Sequence, residues 1–544
     1  MGRMHIAITA MAVLGASVAL GIGQPAAQGA AAMTPQARAE AAFQAMGGEK
    51  QEQVTSIVLK GTMLQWEPGE SYSVADLTKP DGGTSTFTET LDRTKGYQRI
   101  EWTRPRAAGG TRIYAEIIMP DGGYVIGNDA NGAPPKRTIT TTAGLPAHAM
   151  SAIRLRATLR EIERNDVVLS MHGHLDRISD APAQTIGGKS YPAVQYRGEH
   201  ANFLVAFDPA TSLPAMVRTR DFDQLMGDAD FDETFADWRD VNGIKIPHRM
   251  TYTLGGFKLF DTTLSDARVD IVGNSILPAD TFAVPAVIRG KAPPPAAVTK
   301  PPYQWILRRL ASGFFLDSDA LYTDEGGSLT LTDVAPNVSQ VTGSTHNTLI
   351  VATNTYLVAF DSPGDDGQSQ IAIDLATQKY PGKPFRYLVL THHHIDHSGG
   401  LRAYVAAGAT VVVGKGAGDF FRKVLAAPQT LNENKPKGAV TPKVIEVADK
   451  WTVNDGGREI GAYVLENAHA EGYLMPYVPD AKLGFITDLW NPGPAIMAVN
   501  PNMVAVVKGV DKIGLKPERF AGGHAAVGNY ADLARAVQAG GTAR

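Results

Sequence analysis

The chain contains no cysteine. Disulfides, thiolate ligands, cysteine nucleophiles and a lipid-modified N-terminal cysteine are all excluded, so any metal site here must use histidine and carboxylate. Excess charge is also scarce: 51 Lys and Arg against 55 Asp and Glu leave a formal net charge of −4. A general nucleic-acid binder wants a basic surface, and this balance argues against one. Beyond residue 32 no stretch is apolar enough to predict a stable membrane span. No internal repeat is visible. What is present is ordinary globular composition, 44% hydrophobic and 19% charged over 544 residues. That length is too great for one core and points to two domains with additions.

The N-terminus reads as a targeting segment. Arg3 precedes an apolar run over 6–22, which Gln24-Pro25 breaks, and small residues follow through Ala30-Ala31-Ala32. This layout predicts a signal peptide over 1–32 and a periplasmic or secreted protein. An uncleaved anchor is the weaker alternative, since the run is short for a bilayer.

Residues 33–290 have the texture of a β-rich domain. A helix over about 35–46 is stopped by Gly47-Gly48, and short alternating segments then recur as far as residue 284. Turn signals such as Pro80-Asp81-Gly82-Gly83 and Pro120-Asp121-Gly122-Gly123 punctuate them. The pattern predicts a large, mainly antiparallel sheet, interrupted by one helix at about 151–165. A Pro/Ala-rich spacer with a short helix occupies 291–324. From 325 to 544 strands and helices alternate, with helices near 368–378, 401–407, 418–426, 502–514 and 530–539. The expected architecture is an α/β sandwich whose sheets lie between helices.

The chemistry is concentrated in that last part. The apolar strand 387–390 runs directly into Thr391-His392-His393-His394-Ile395-Asp396-His397-Ser398-Gly399-Gly400. His392 and His394 are two apart, so in extended backbone they share a side. Asp396 and His397 fall where the chain turns toward the next helix. Four potential ligands crowded into 392–397 are costly unless a cation balances them, and imidazole and carboxylate are suitable zinc donors. His393 points away between its neighbours and is given a structural role. Downstream, His469, Asp488 and His524 each stand alone where an apolar strand meets a loop.

His-x-His-x-Asp-His, followed by His, Asp and His on later loops, resembles the metallo-β-lactamase superfamily over roughly 325–540. The resemblance implies an αββα sandwich holding two zinc ions. It implies that His392, His394 and His469 hold the first and Asp396, His397 and His524 the second, with Asp488 bridging. The missing cysteine ligand and the bridging aspartate resemble the glyoxalase II and lactonase-like branches. The implied activity is hydrolysis of an ester, thioester, lactone or amide in a small-molecule substrate by a metal-bridging hydroxide. Asp488 would position that hydroxide, and Asp396 would carry a proton to the leaving group. A β-lactamase is one alternative, and iron or manganese in place of zinc is another. A different class of reading makes the protein a periplasmic lipid- or ligand-binding protein with an accessory hydrolase domain.

Three features are given plainer roles. His172-Gly173-His174-Leu175-Asp176 mimics a ligand motif and is read as a surface loop. The acidic run 221–233 alternates with Phe and Met and is read as strand and turn rather than a calcium loop. Tyr530 and Trp490 lie beside the candidate ligand loops, where packing is as good an explanation as substrate contact.

Overall fold

The computed structural model describes residues 33–105, 111–127, 139–140, 146–150, 152–271, 277–290, 329–344, 346–496 and 498–541. The expected signal peptide, the Pro/Ala spacer and its short helix lie outside the described residues.

Among the described residues, the N-terminal half forms a single antiparallel sheet of 14 strands. At its middle stand two unusually long strands, β1 (Val54–Ser73) and β2 (Asp76–Asp92), which form a hairpin. β1 pairs on its other side with Phe257–Ile271, so the first and last long strands close the middle of the sheet. Helices Pro35–Ala45, Ala152–Asn165 and Val167–Gly173 supply the apolar cover for the sheet. Phe43 and Met171, for example, pack with Val194, Phe203 and Val217.

His172 corrects one expectation. It belongs to the end of a helix rather than to a loop, its ring stacks on Phe43 at 3.7 Å, and its Nδ1 meets Glu40 Oε1 at 2.7 Å. The acidic run does form strand and turn: Pro214–Asp223 and Gly227–Val241 make a hairpin in which Arg218 pairs with Asp232 at 2.6 Å.

The C-terminal half is a sandwich of a 7-stranded and a 6-stranded sheet. Val351, Phe360, Val389 and Val412 from the first face Ala462, Leu474, Phe485 and Ala521 from the second. Helices Asp366–Lys379, Leu401–Ala406 and Gly418–Ala426 cover the outer face of the first sheet, through residues such as Ile373, Leu401 and Phe421. Helices Pro501–Ile513 and Tyr530–Gly541 cover the second. This is the expected four-layer arrangement preceded by an antiparallel β domain. Each expected helix in the described part forms, because its apolar residues recur at helical spacing toward a sheet.

The two halves meet at helix Ala152–Asn165 and at the tip of the hairpin formed by Pro214–Asp223 and Gly227–Val241. Ala152, Ala157 and Leu225 of the N-terminal half are buried in the same cluster as Leu401 and Phe421. The Arg402 guanidinium, fully buried, donates to the Gln224 and Val424 carbonyls. The Asp228 carboxylate accepts from Thr430 and Leu431 backbone amides at 2.9 and 3.0 Å. No helix among the described residues is long and apolar enough to cross a membrane.

Candidate metal centre

Strand Phe385–Val389 lies between two parallel neighbours, Leu357–Phe360 and Thr410–Gly414. Its C-terminal end therefore opens into a crevice where loops converge. The chain leaves it through Thr391, and a single helical turn, Ile395–Ser398, swings Asp396 and His397 around behind His392 and His394. The turn is tied down by the Ser398 hydroxyl, which donates to the His394 carbonyl at 2.8 Å. Gly399 has no alternative here: a Cβ would stand 2.1 Å from the Gly364 carbonyl oxygen.

The second sheet brings the remaining groups. His469 comes from the turn between strands Arg458–Val464 and Leu474–Val478, Asp488 from the end of Leu483–Ile486, and His524 from the end of Arg519–Gly522. Asp488 takes a left-handed backbone, φ 56°, which is uncommon for an aspartate and aims its side chain back at the cluster.

The seven residues singled out in the sequence all meet. Asp488 Oδ2 is 3.2 Å from His392 Nε2, 3.3 Å from His469 Nε2 and 3.0 Å from His397 Nε2. Its other oxygen is 2.7 Å from His524 Nε2. Donor atoms of His392, His394, His469 and Asp488 lie within 4.8 Å of one another, and so do those of His346, Asp396, His397 and His524. Asp488 thus touches both sets.

Sequence reasoning missed His346, whose Nε2 is 2.9 Å from Asp396 Oδ2, and Asp361, which lies beneath His397. The Asp361 carboxylate accepts from Thr391 N at 2.7 Å and Thr391 Oγ1 at 2.9 Å, and stands 3.1 Å from His397 Nδ1. A signal existed for both. Each is a polar residue where an apolar strand meets a loop, the placement that singled out His469, Asp488 and His524. Glu70 and Ser71 were missed as well, and for them no local signal exists. Trp490 is buried against Phe520, and Tyr530 packs on the same cluster, so both are packing residues. His393, also buried, belongs to none of the donor-atom groups, and its ring stands edge-on to His394 at 4.9 Å and to Phe420 at 6.4 Å.

Burial governs the protonation of the imidazoles. It pushes His392 down to about 3 and His346 to about 4, and holds His394 well below the usual value. These rings are neutral, with lone pairs available for a cation. His397 differs: burial opposes its charge, but Asp488 and Asp396 outweigh burial and raise it well above normal. Burial likewise opposes ionisation of Asp396 and Asp488, yet His397 and the other rings hold both well below the carboxylate range.

The donor set fits a pair of divalent metal ions. Asp488 Oδ2 and Asp396 Oδ1 are buried without a hydrogen bond of acceptable geometry, a costly state that a cation would relieve. His392 Nε2 and His469 Nε2 are 3.2 Å apart, close to the ~3.3 Å separating donors at ~2.0–2.1 Å on one tetrahedral zinc.

The family model for the metallo-β-lactamase superfamily matches residues 341–524. The C-terminal half is a metallo-β-lactamase-superfamily domain. Members of that superfamily are mostly metal-dependent hydrolases. A search of curated protein sequences finds no match. Among solved structures, similarity extends to the stereoselective inverting sec-alkylsulfatase Pisa1 from Pseudomonas sp., at 20% identity and a TM-score of 0.30. That match covers 39% of this chain and 40% of the sulfatase, so this chain spans well under two thirds of that relative's length. A metallo-β-lactamase from Pontibacter korlensis matches at 22% identity and a TM-score of 0.30, over 39% of this chain and 97% of its own. The Flv1 flavodiiron core from Synechocystis sp. PCC6803 matches at 15% identity and a TM-score of 0.31, over 39% and 60%.

Proposed function

We propose that this chain is an exported, zinc-dependent hydrolase of a small-molecule ester, thioester, lactone or amide, carrying two zinc ions per chain. One observation supports this reading above the others: Asp488 presents one oxygen to His392, His469 and His397 and the other to His524. A carboxylate shared between two imidazole sets is the arrangement a metal pair requires.

In this reading His392, His394 and His469 hold the first ion, and Asp396, His397 and His524 the second, with Asp488 common to both. The ions, when bound, supply Lewis acidity and lower the pKa of a water toward ~7. The residues do the rest. Asp361 accepts from His397 Nδ1 and so turns Nε2 inward. Thr391 Oγ1 meets His392 Nδ1 at 3.0 Å and orients that ring likewise. His346 holds Asp396 through Oδ2 and leaves Oδ1 directed into the centre, where it can pass a proton to a leaving group.

The test is metal analysis of the purified protein followed by a screen of esters, thioesters, lactones, amides and nitrocefin. Turnover abolished by chelation and by Asp488→Ala supports the proposal. Hydrolysis that survives His394→Ala and Asp488→Ala refutes it. Nitrocefin as the preferred substrate would move the assignment to a β-lactamase, and bound iron would replace zinc as the working metal.

A second reading is favoured by one observation in the N-terminal half. A cavity of about 290 Å³, open to solvent on one side, lies between the sheet and helix Ala152–Asn165, and is lined by side chains including Leu59, Phe87, Trp102, Ile162, Trp238 and Met250. We propose that it accepts an apolar chain. Saturable change in Trp102 and Trp238 emission on titration with dodecanol supports this, and unaltered emission refutes it.

A further inference from the structure

The β1–β2 hairpin is far longer than the sheet needs, and its tip leaves the N-terminal half altogether. Pairing runs regularly from Trp66–Pro80 to Pro68–Thr78 and resumes only at Ser73–Asp76. Between those points β1 carries Gly69, Glu70, Ser71 and Tyr72, while β2 carries Leu77 alone. This bulge throws the extra residues out of the ladder. Gly69 begins it with φ 87°, a conformation glycine adopts at no steric cost.

The extruded residues land on the metal centre. The Ser71 carbonyl lies 2.8 Å from His394 Nε2. A carbonyl only accepts, so Nε2 carries the proton and Nδ1 is left as the ring's donor atom. Toward that same Nδ1 the Glu70 carboxylate presents Oε2 at 3.5 Å. Glu70, His394 and Asp396 form a third group of donor atoms within 4.8 Å of one another. The tip is pinned beside them: the Tyr72 carbonyl accepts from Glu471 N at 2.7 Å, and Ser73 Oγ donates to Glu471 Oε2 at 2.5 Å. Val74 packs on the C-terminal core.

We propose that Glu70, carried by the N-terminal half, is a displaceable carboxylate ligand of the first metal ion. The inference rests on the two-metal reading above. Its geometric basis is the 3.5 Å spacing of Oε2 from His394 Nδ1, near the ~3.3 Å that two donors sharing one tetrahedral zinc adopt. A catalytic zinc keeps one position for substrate. Beside His392, His394, His469 and Asp488, Glu70 would be a fifth donor to that ion, held in the resting enzyme and lost when substrate binds. Ser71 is a positioning residue that acts through His394.

The test is zinc affinity, measured by competition with a chromogenic chelator for the full-length protein, Glu70→Gln and Glu70→Ala. Circular dichroism checks that each variant is folded, and the near-isosteric glutamine keeps the comparison available if alanine disturbs the hairpin. Glu70→Gln is expected to weaken binding of the tighter-held ion about tenfold, within the range for loss of a supporting group at a metal site. Affinity within twofold of the parent overturns the proposal. A parent protein that binds no zinc would instead overturn the metallohydrolase reading, so the two failures are distinguishable.

Discussion

Asp361 and His397 form a fully buried pair, the carboxylate 3.1 Å from Nδ1, with His397 Nε2 3.0 Å from Asp488 on the ring's other side. Asp361 touches no substrate-facing space. Its work is to fix which nitrogen of His397 faces the cluster. Asp361→Asn keeps the acceptor toward Thr391 but loses the charge that steadies the imidazole. Zinc affinity is expected to fall ten- to a hundredfold with the fold retained, read by chelator competition beside circular dichroism. Unchanged affinity would reduce Asp361 to a loop brace for Thr391.

Removing the metals is expected to destabilise the C-terminal half. Neutral imidazoles and unbonded carboxylate oxygens are buried together there, and a ligand at about a thousand times its Kd adds roughly 4 kcal/mol of stability. Chelation should lower the melting temperature by several degrees, and readdition of zinc should restore it. A melt indifferent to chelator would mean that the site is closed without metal.

Much of this centre was legible in the sequence, because ligands at strand ends announce themselves as polar residues interrupting apolar runs. His392, His394, Asp396, His397, His469, Asp488 and His524 all carry that signature and all converge. Asp361 and His346 carry it too, but they lie upstream of the 392–397 cluster, whereas the partners that the resemblance implies all lie downstream of it. Glu70 was beyond reach. It is brought in by a bulge on a strand some three hundred residues earlier, and a bulge depends on which residues pair across the sheet, which local periodicity does not record. The helix containing His172 was hidden for a related reason. Its Val167, Val168 and Met171 pack with Phe43, on which His172 also stacks, and these are contacts between distant segments.

Glu70 also bears on substrate choice. In the ligand position proposed for it, its carboxylate stands beside an incoming group, and a second negative charge about 5 Å away costs roughly 3 kcal/mol at an effective dielectric of 20. Solvent and the metal charge reduce this. Glu70→Gln is expected to raise kcat/KM for an acidic ester about tenfold relative to a neutral ester of the same acyl group. Equal change for both substrates would remove Glu70 from specificity.

The cavity in the N-terminal half carries a pH signature. Burial raises both Glu89 and Glu233 to about 7, and each lines the cavity. In the unfolded chain they titrate near 4.5, so between those values the folded state holds protons that the unfolded state has released. Stability therefore falls as pH rises from about 4.5 to 7 and levels off above. Each residue is expected to contribute about 3 kcal/mol to that fall. Thermal melts from pH 5 to pH 8 should show it, and Glu89→Gln with Glu233→Gln should flatten it. An equal slope in the double variant would place the titration elsewhere.

The two halves are expected to act as one unit. Deleting residues 33–290 removes the Ser71 carbonyl from His394, Glu70 from the metal centre, and Gln224 from the Arg402 guanidinium. It also exposes the apolar surface that Ala152, Ala157 and Leu225 cover. The truncated protein should lose zinc affinity and hydrolysis together and expose enough apolar surface to bind a hydrophobic dye. Arg402→Met tests the same junction more gently: the Gln224 and Val424 carbonyls lose their donor, at a cost of about 2–3 kcal/mol, read by denaturant unfolding. A truncated C-terminal half with full turnover would show that the β domain is a separable module, and that the hairpin only rests against the site.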